Sequence, residues 1–215
     1  MNFELLLLDI GGTLITLIFS AILHEVAHGY VAERFGDPTA RLMGRLTLDP
    51  RPHIDPLMSI ALPLILLITG SPIIFGGAKP VPVDEMNLRD GKKDMALVAL
   101  AGPLTNVVIA VVGALLFHGL EFFIHGVSGY WILFVFGFLQ IVIQINILLA
   151  VFNLLPIPPL DGSKVLALIL PDGLARTYLN IGAFGSIVVL IIVMTPMFQG
   201  ILSAINQLAL SLLGF

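Results

Sequence analysis

Residues 95–123 carry a single Asp, Glu, Lys or Arg side chain, Glu121. In hydrocarbon every backbone N–H and C=O must be paired within the protein, so such a run spans a membrane as a helix or as part of a closed barrel. Its apolar residues are continuous rather than alternating, which selects the helix. Pro103 predicts a kink in it. Comparable runs recur along the chain. Residues 5–30 predict a helix continuing to about Phe35, and residues 130–153 predict another. Residues 177–195 and 199–213 complete the set, while residues 57–69 are apolar but short for a span. Hydrophobic residues make up 58% of the chain and charged residues 11%, against about a quarter charged in a soluble domain. The fold class expected is therefore an all-α polytopic membrane protein of about five to six transmembrane helices, forming one domain over residues 1–215.

The connections are not all featureless. "RLMGRLTL" predicts a short hairpin with Gly44 at its turn. The prolines and glycines of "GSPIIFGGAKPVPVDE" require extended backbone. Short re-entrant or extended β segments are thus expected between the helices. Arg34, Arg41, Arg45 and Arg51 fall in the first connection, and Lys79, Arg89, Lys92 and Lys93 in the second. Lys164 and Arg176 fall in a later one. The positive-inside rule puts all three on the cytoplasmic side. The first and second share a side only if residues 57–83 enter the bilayer and return. Non-helical backbone at that depth must line protein or a water-filled cavity. A net charge of −4 argues against nucleic acid as a partner, and the absence of cysteine excludes disulfides and thiolate metal sites.

Against this background "HEVAH" stands out. It puts His24, Glu25 and His28 at the end of an apolar helix, where ionisable groups are costly and mark function or pairing. His24 and His28 are four residues apart, so on a helix they project from one face and can grip one ion. Glu25 lies beside that ion. The pattern matches zinc held by two imidazoles, with a carboxylate taking the proton from water. A pair of helix-bridging histidines is the plainer alternative. Zinc needs a third protein ligand. His118 and His125 fall at the far end of their helix and read as interfacial. Asp161 in "PPLDGSK" falls at the cytoplasmic end of its span, where prolines break the helix. Topology makes it the best third ligand; its plainer role is a helix N-cap. His53 either orients the site or binds the substrate backbone; its plainer role is a cap for the helix beginning near Asp55. Asn106 reads first as a hydrogen bond between helices. Gly102 and Gly113 read as close-packing positions.

The segments "HEVAHG", "GRLTLDPRPHIDP", "AKPVPV", "ALAGPLTN" and "NLLPIPPLDGSKVL" together resemble the site-2 protease family of intramembrane zinc metalloproteases. The similarity runs from about residue 20 to 170 and fits the compact prokaryotic branch without PDZ or CBS domains. The resemblance implies that His24, His28 and Asp161 bind one Zn2+ per chain and that Glu25 is the general base. It implies hydrolysis of a peptide bond in a transmembrane protein or peptide, near the cytoplasmic side of the cell membrane. Regulated proteolysis of an anchored regulator and clearance of signal-peptide remnants both fit. Asn153 matches the family's polar residue near the active site and either supports the oxyanion or makes helix-terminal backbone contacts. An extended substrate is expected to add to a strand edge, either the hairpin or "GGAKPVPV". Gly77 departs from the aromatic residue of many relatives. From a different class, a metal or proton transporter would use His24, Glu25, His28 and Asp161 as a relay. The sequence leaves the oligomeric state open.

Overall fold

The computed structural model describes residues 3–69, 78–124, 129–193 and 195–215, and among these every regular element is helical. Helix α1 (Phe3–Arg34) carries the two histidines. A short α2 (Thr39–Leu42) follows, then a π-helical turn (Pro56–Ala61) running into α3 (Leu62–Ile68). Helix α4 (Gly91–Phe123) lies against α1, against α5 (Tyr130–Asn153) and against α6 (Asp161–Ile169). Helices α7 (Asp172–Leu179), α8 (Gly182–Val193) and α9 (Pro196–Leu212) complete the described chain, with α9 lying on α5.

Three of these helices are long and apolar enough to cross a membrane: Ile10–Arg34, Gly91–Phe123 and Trp131–Asn153. The outer faces of α4 and α5 expose Leu104, Val108, Leu115, Trp131 and Leu133. Water would penalise that surface, whereas lipid tolerates it. Between the helices the contact is made with small residues. Ala110, Gly113 and Ala114 of α4 meet Ile143 and Ile147 of α5. A Cβ on Gly113 would stand 3.0 Å from Ile143 Cγ1, so glycine there sets how closely the two helices approach.

The expected hairpin over "RLMGRLTL" is not formed, and no β segment occurs among the described residues. Instead α2 occupies residues 39–42. The Asp37 carboxylate accepts from the backbone N–H and hydroxyl of Thr39, which starts the turn. Gly44 at φ +66 ends it, with Arg45 N–H donating 2.8 Å to the Ala40 carbonyl. Among the described residues no strand lies beside this segment to complete a ladder. Asp37 also accepts from Asp84 N–H (2.7 Å) and Asn87 Nδ2 (3.0 Å), tying the end of α1 to the segment that precedes α4. Burial pushes the Asp37 carboxyl up, but these hydrogen bonds outweigh it and hold it below the usual range.

The single helix expected over residues 177–195 is two. The chain turns between α7 and α8, and this lets Val189 of α8 reach Phe198 and Leu202 of α9. Gly185, within α8, lets that helix lie against residues 158–159, since a Cβ there would collide with the Pro158 carbonyl. Gly77 and His125 lie outside the described residues.

Candidate active site

Two elements far apart in sequence meet at one point. His24 and His28 come from the same face of α1, because four residues is close to one helical turn. Asp161 is the first residue of α6, where helix-dipole charge favours a carboxylate. One oxygen, Asp161 Oδ2, lies 3.0 Å from His24 Nε2 and 3.2 Å from His28 Nε2. All three side chains are buried. The N-cap role considered for Asp161 is not taken up: Leu160 occupies that position, and the carboxylate faces the histidines. Lys164 Nζ, one turn on, lies 3.3 Å from Asp161 Oδ1.

The outer nitrogens of both rings are already assigned. His28 Nδ1 lies 2.7 Å from the Val98 carbonyl, which can only accept, so Nδ1 carries the proton. The His24 assignment follows along a chain of amides. Asn146 Nδ2 donates to the Val142 carbonyl (2.8 Å) and to Ser20 Oγ (2.9 Å), which orients that amide. Asn146 Oδ1 then accepts from Asn106 Nδ2 (2.8 Å), and Asn106 Oδ1 accepts from His24 Nδ1 (2.6 Å). In the neutral rings both Nε2 atoms therefore present lone pairs to a carboxylate oxygen. Acceptors so placed repel unless a cation stands between them. The donor set, two imidazole nitrogens and a carboxylate oxygen within 4.8 Å of one another, suits a metal ion.

Gly102 of α4 leaves the space such an ion needs. A Cβ there would stand 2.5 Å from His28 Nε2 and nearer still to His24 Nε2. Its role is thus more specific than the helix packing expected for it. Asn106, expected to bridge helices, does so through His24 itself. Asn146 was missed by the sequence reading, although a carboxamide within the apolar run of α5 is the kind of signal that could have found it. Val98 acts through its carbonyl and leaves no trace in side-chain chemistry. We expect Asn146→Leu to weaken metal binding about 10- to 100-fold, the usual effect of losing a group that orients a ligating histidine. Competition against a chelating dye would measure this, with Asn146→Gln keeping part of the affinity.

Glu25 sits beside this cluster and faces a cavity of about 730 Å³. Its Oε2 accepts 2.7 Å from Val81 N–H, in the extended "AKPVPV" segment. That segment is held elsewhere as well. Lys79 N–H donates to the His53 carbonyl (2.7 Å), and Arg45 donates to the carbonyls of Lys79 (2.7 Å) and Pro80 (3.2 Å). Pro80 and Pro82 have no N–H. From Lys79 to Pro82 the backbone N–H groups are therefore taken or absent. His53 is fully buried, and its Nε2 bonds the Thr47 carbonyl at 3.0 Å. It shapes the site through its backbone, and Asp55 caps the following turn by accepting from Leu57 N–H. Asn153 lines the cavity while its Nδ2 donates to the Leu149 carbonyl at 3.0 Å.

Residues 12–196 match the family model described as Peptidase family M50. The chain belongs to peptidase family M50, the site-2 protease family. A candidate zinc metalloprotease of Bacillus subtilis, YwhC, is 38% identical over 188 residues, covering 85% of this chain and 80% of that protein. One from Methanocaldococcus jannaschii is 37% identical over 166 residues, 77% of this chain and 73% of that protein. One from Mycolicibacterium smegmatis is 34% identical over 179 residues, 83% of this chain and 65% of that protein. No solved structure matches the chain. The family resemblance read from the motifs is thereby established, and the M50 chain is a metalloprotease and a membrane protein.

Proposed function

We propose that this M50 chain is an intramembrane zinc endopeptidase that hydrolyses peptide bonds in transmembrane substrates. One observation carries the reading: two imidazole lone pairs and a carboxylate oxygen converge beside a glycine-made space, next to Glu25 and at the wall of a cavity. His24, His28 and Asp161 hold one zinc per chain. Zinc supplies Lewis acidity there when bound. Asn106 and the Val98 carbonyl keep the two rings turned so that their Nε2 atoms face inward. Glu25 accepts a proton from the attacking water at its carboxylate and returns it to the leaving nitrogen. The Val81 N–H steadies that carboxylate and limits its rotation. Asn153 is placed to orient the substrate carbonyl from the cavity wall.

The topology proposed adds α8, α9 and the short α3 to the three long helices, giving about five to six membrane segments. The lysines and arginines of the connections set the active site near the cytoplasmic face of a multi-pass protein in the cell membrane. The substrates that fit are anchored regulators or signal-peptide remnants. The test is metal and cleavage together on the detergent-purified chain. We expect about one zinc per chain, cleavage of a transmembrane peptide bearing an Asn-Pro break, loss of both on chelation, and return of both with zinc. A chain that binds zinc stoichiometrically yet cuts no such peptide would overturn the reading.

A further inference from the structure

The cavity in front of Glu25 is lined by α1, α5 and α9 and by Ala78 and Pro80 of the extended segment, and four of its polar side chains are carboxamides. Gln144 and Asn153 come from α5, and Gln199 and Asn206 from α9. On α9 the spacing 199, 203, 206 puts Gln199, Ser203 and Asn206 on one face, while Met197, Ile201, Leu208 and Leu212 are exposed on the rest of the helix. A helix in lipid turns polar groups toward the protein interior or a cavity. The Asn206 Oδ1 atom is buried without a hydrogen-bond partner among the described residues. Among the described lining residues there is no Lys, Arg or Asp, and Glu25 is the one acidic group.

Each carboxamide offers both donors and an acceptor, the same inventory as a peptide group. A transmembrane segment unwound for cleavage exposes peptide groups that have lost their helical partners, in surroundings where unpaired ones are costly. Along Lys79–Pro82 the backbone donors are taken or absent, so donors to the substrate in this part of the cavity come from side chains. We propose that the carboxamides of Asn206, Gln199 and Gln144 form a receptor for the unwound backbone of the substrate, exchanging hydrogen bonds with peptide groups flanking the scissile bond. This rests on the endopeptidase reading and names what that site binds: an extended peptide segment, recognised through its main chain more than its side chains. A volume of about 730 Å³ accommodates a short extended stretch.

Backbone esters test this without altering the protein. A dye-labelled transmembrane peptide is made as a series in which single amides near the Asn-Pro break become esters, each losing one N–H. Binding to the wild-type chain in nanodiscs is followed by polarisation, with cleavage as a separate readout. One or two ester positions are expected to weaken binding about tenfold to wild type and less than twofold to Asn206→Leu or Gln199→Leu, as coupled groups do in a double-substitution cycle. The proposal is overturned if every ester binds wild type like the parent peptide, or if the penalty is the same in both variants. Ester-sensitive binding without any cleavage would leave the receptor standing and remove the endopeptidase reading instead.

Discussion

Glu25→Gln is expected to hold zinc like the wild type and to cut a transmembrane peptide about 10³-fold more slowly, within the range lost with a general base. The variant changes little else. A glutamine oxygen can still accept from Val81 N–H, so the extended segment stays docked. The three metal donors, His24, His28 and Asp161, are untouched. What disappears is the one acidic group among the described residues of the cavity wall able to take a proton from water. Metal content by mass spectrometry and single-turnover cleavage should be read on the same preparation. Retained zinc with activity within tenfold of wild type would remove Glu25 as the base. Lost zinc would make Glu25 a ligand and revive the relay that a transporter would use.

Gly102→Ala is expected to weaken zinc binding at least about 100-fold while the protein remains folded. Alanine favours a helix over glycine by about 1 kcal/mol, so α4 gains stability in isolation. The cost falls on the site. The new Cβ would stand 2.5 Å from His28 Nε2, and the neighbouring atoms are imidazoles whose far sides are pinned by Val98 and Asn106. The rings cannot retreat without breaking those bonds, and the methyl fills the space an ion would use. Gly119 in the same helix is the control, since a Cβ there meets nothing within 4 Å. Gly119→Ala should keep wild-type metal affinity. Equal zinc affinity in the two variants would refute the role given to Gly102.

The sequence reading reached furthest where the information is local. The expected helix 130–153 matches α5 (Tyr130–Asn153), and α1 extends through both histidines as expected, because long apolar runs have one way to satisfy their backbone in lipid. The pairing of His24 with His28 was equally legible, since helical spacing alone brings them to one face. Residues 41–48 were misread because alternation says nothing about whether a partner strand exists. The break between α7 and α8 was missed because it serves a contact with α9, distant in the chain.

On its own, then, the sequence determined a helical membrane protein with two histidines and a glutamate on one helix and an aspartate favoured as their partner. Only the tertiary structure decided that Asp161 meets both rings across 137 and 133 residues. It alone decided that Asn146 orients His24 through Asn106, that a carbonyl of α4 orients His28, and that Gly102 clears the space between them. These are contacts between helices. They depend on how three surfaces approach one another, and no pattern within a single helix specifies that distance.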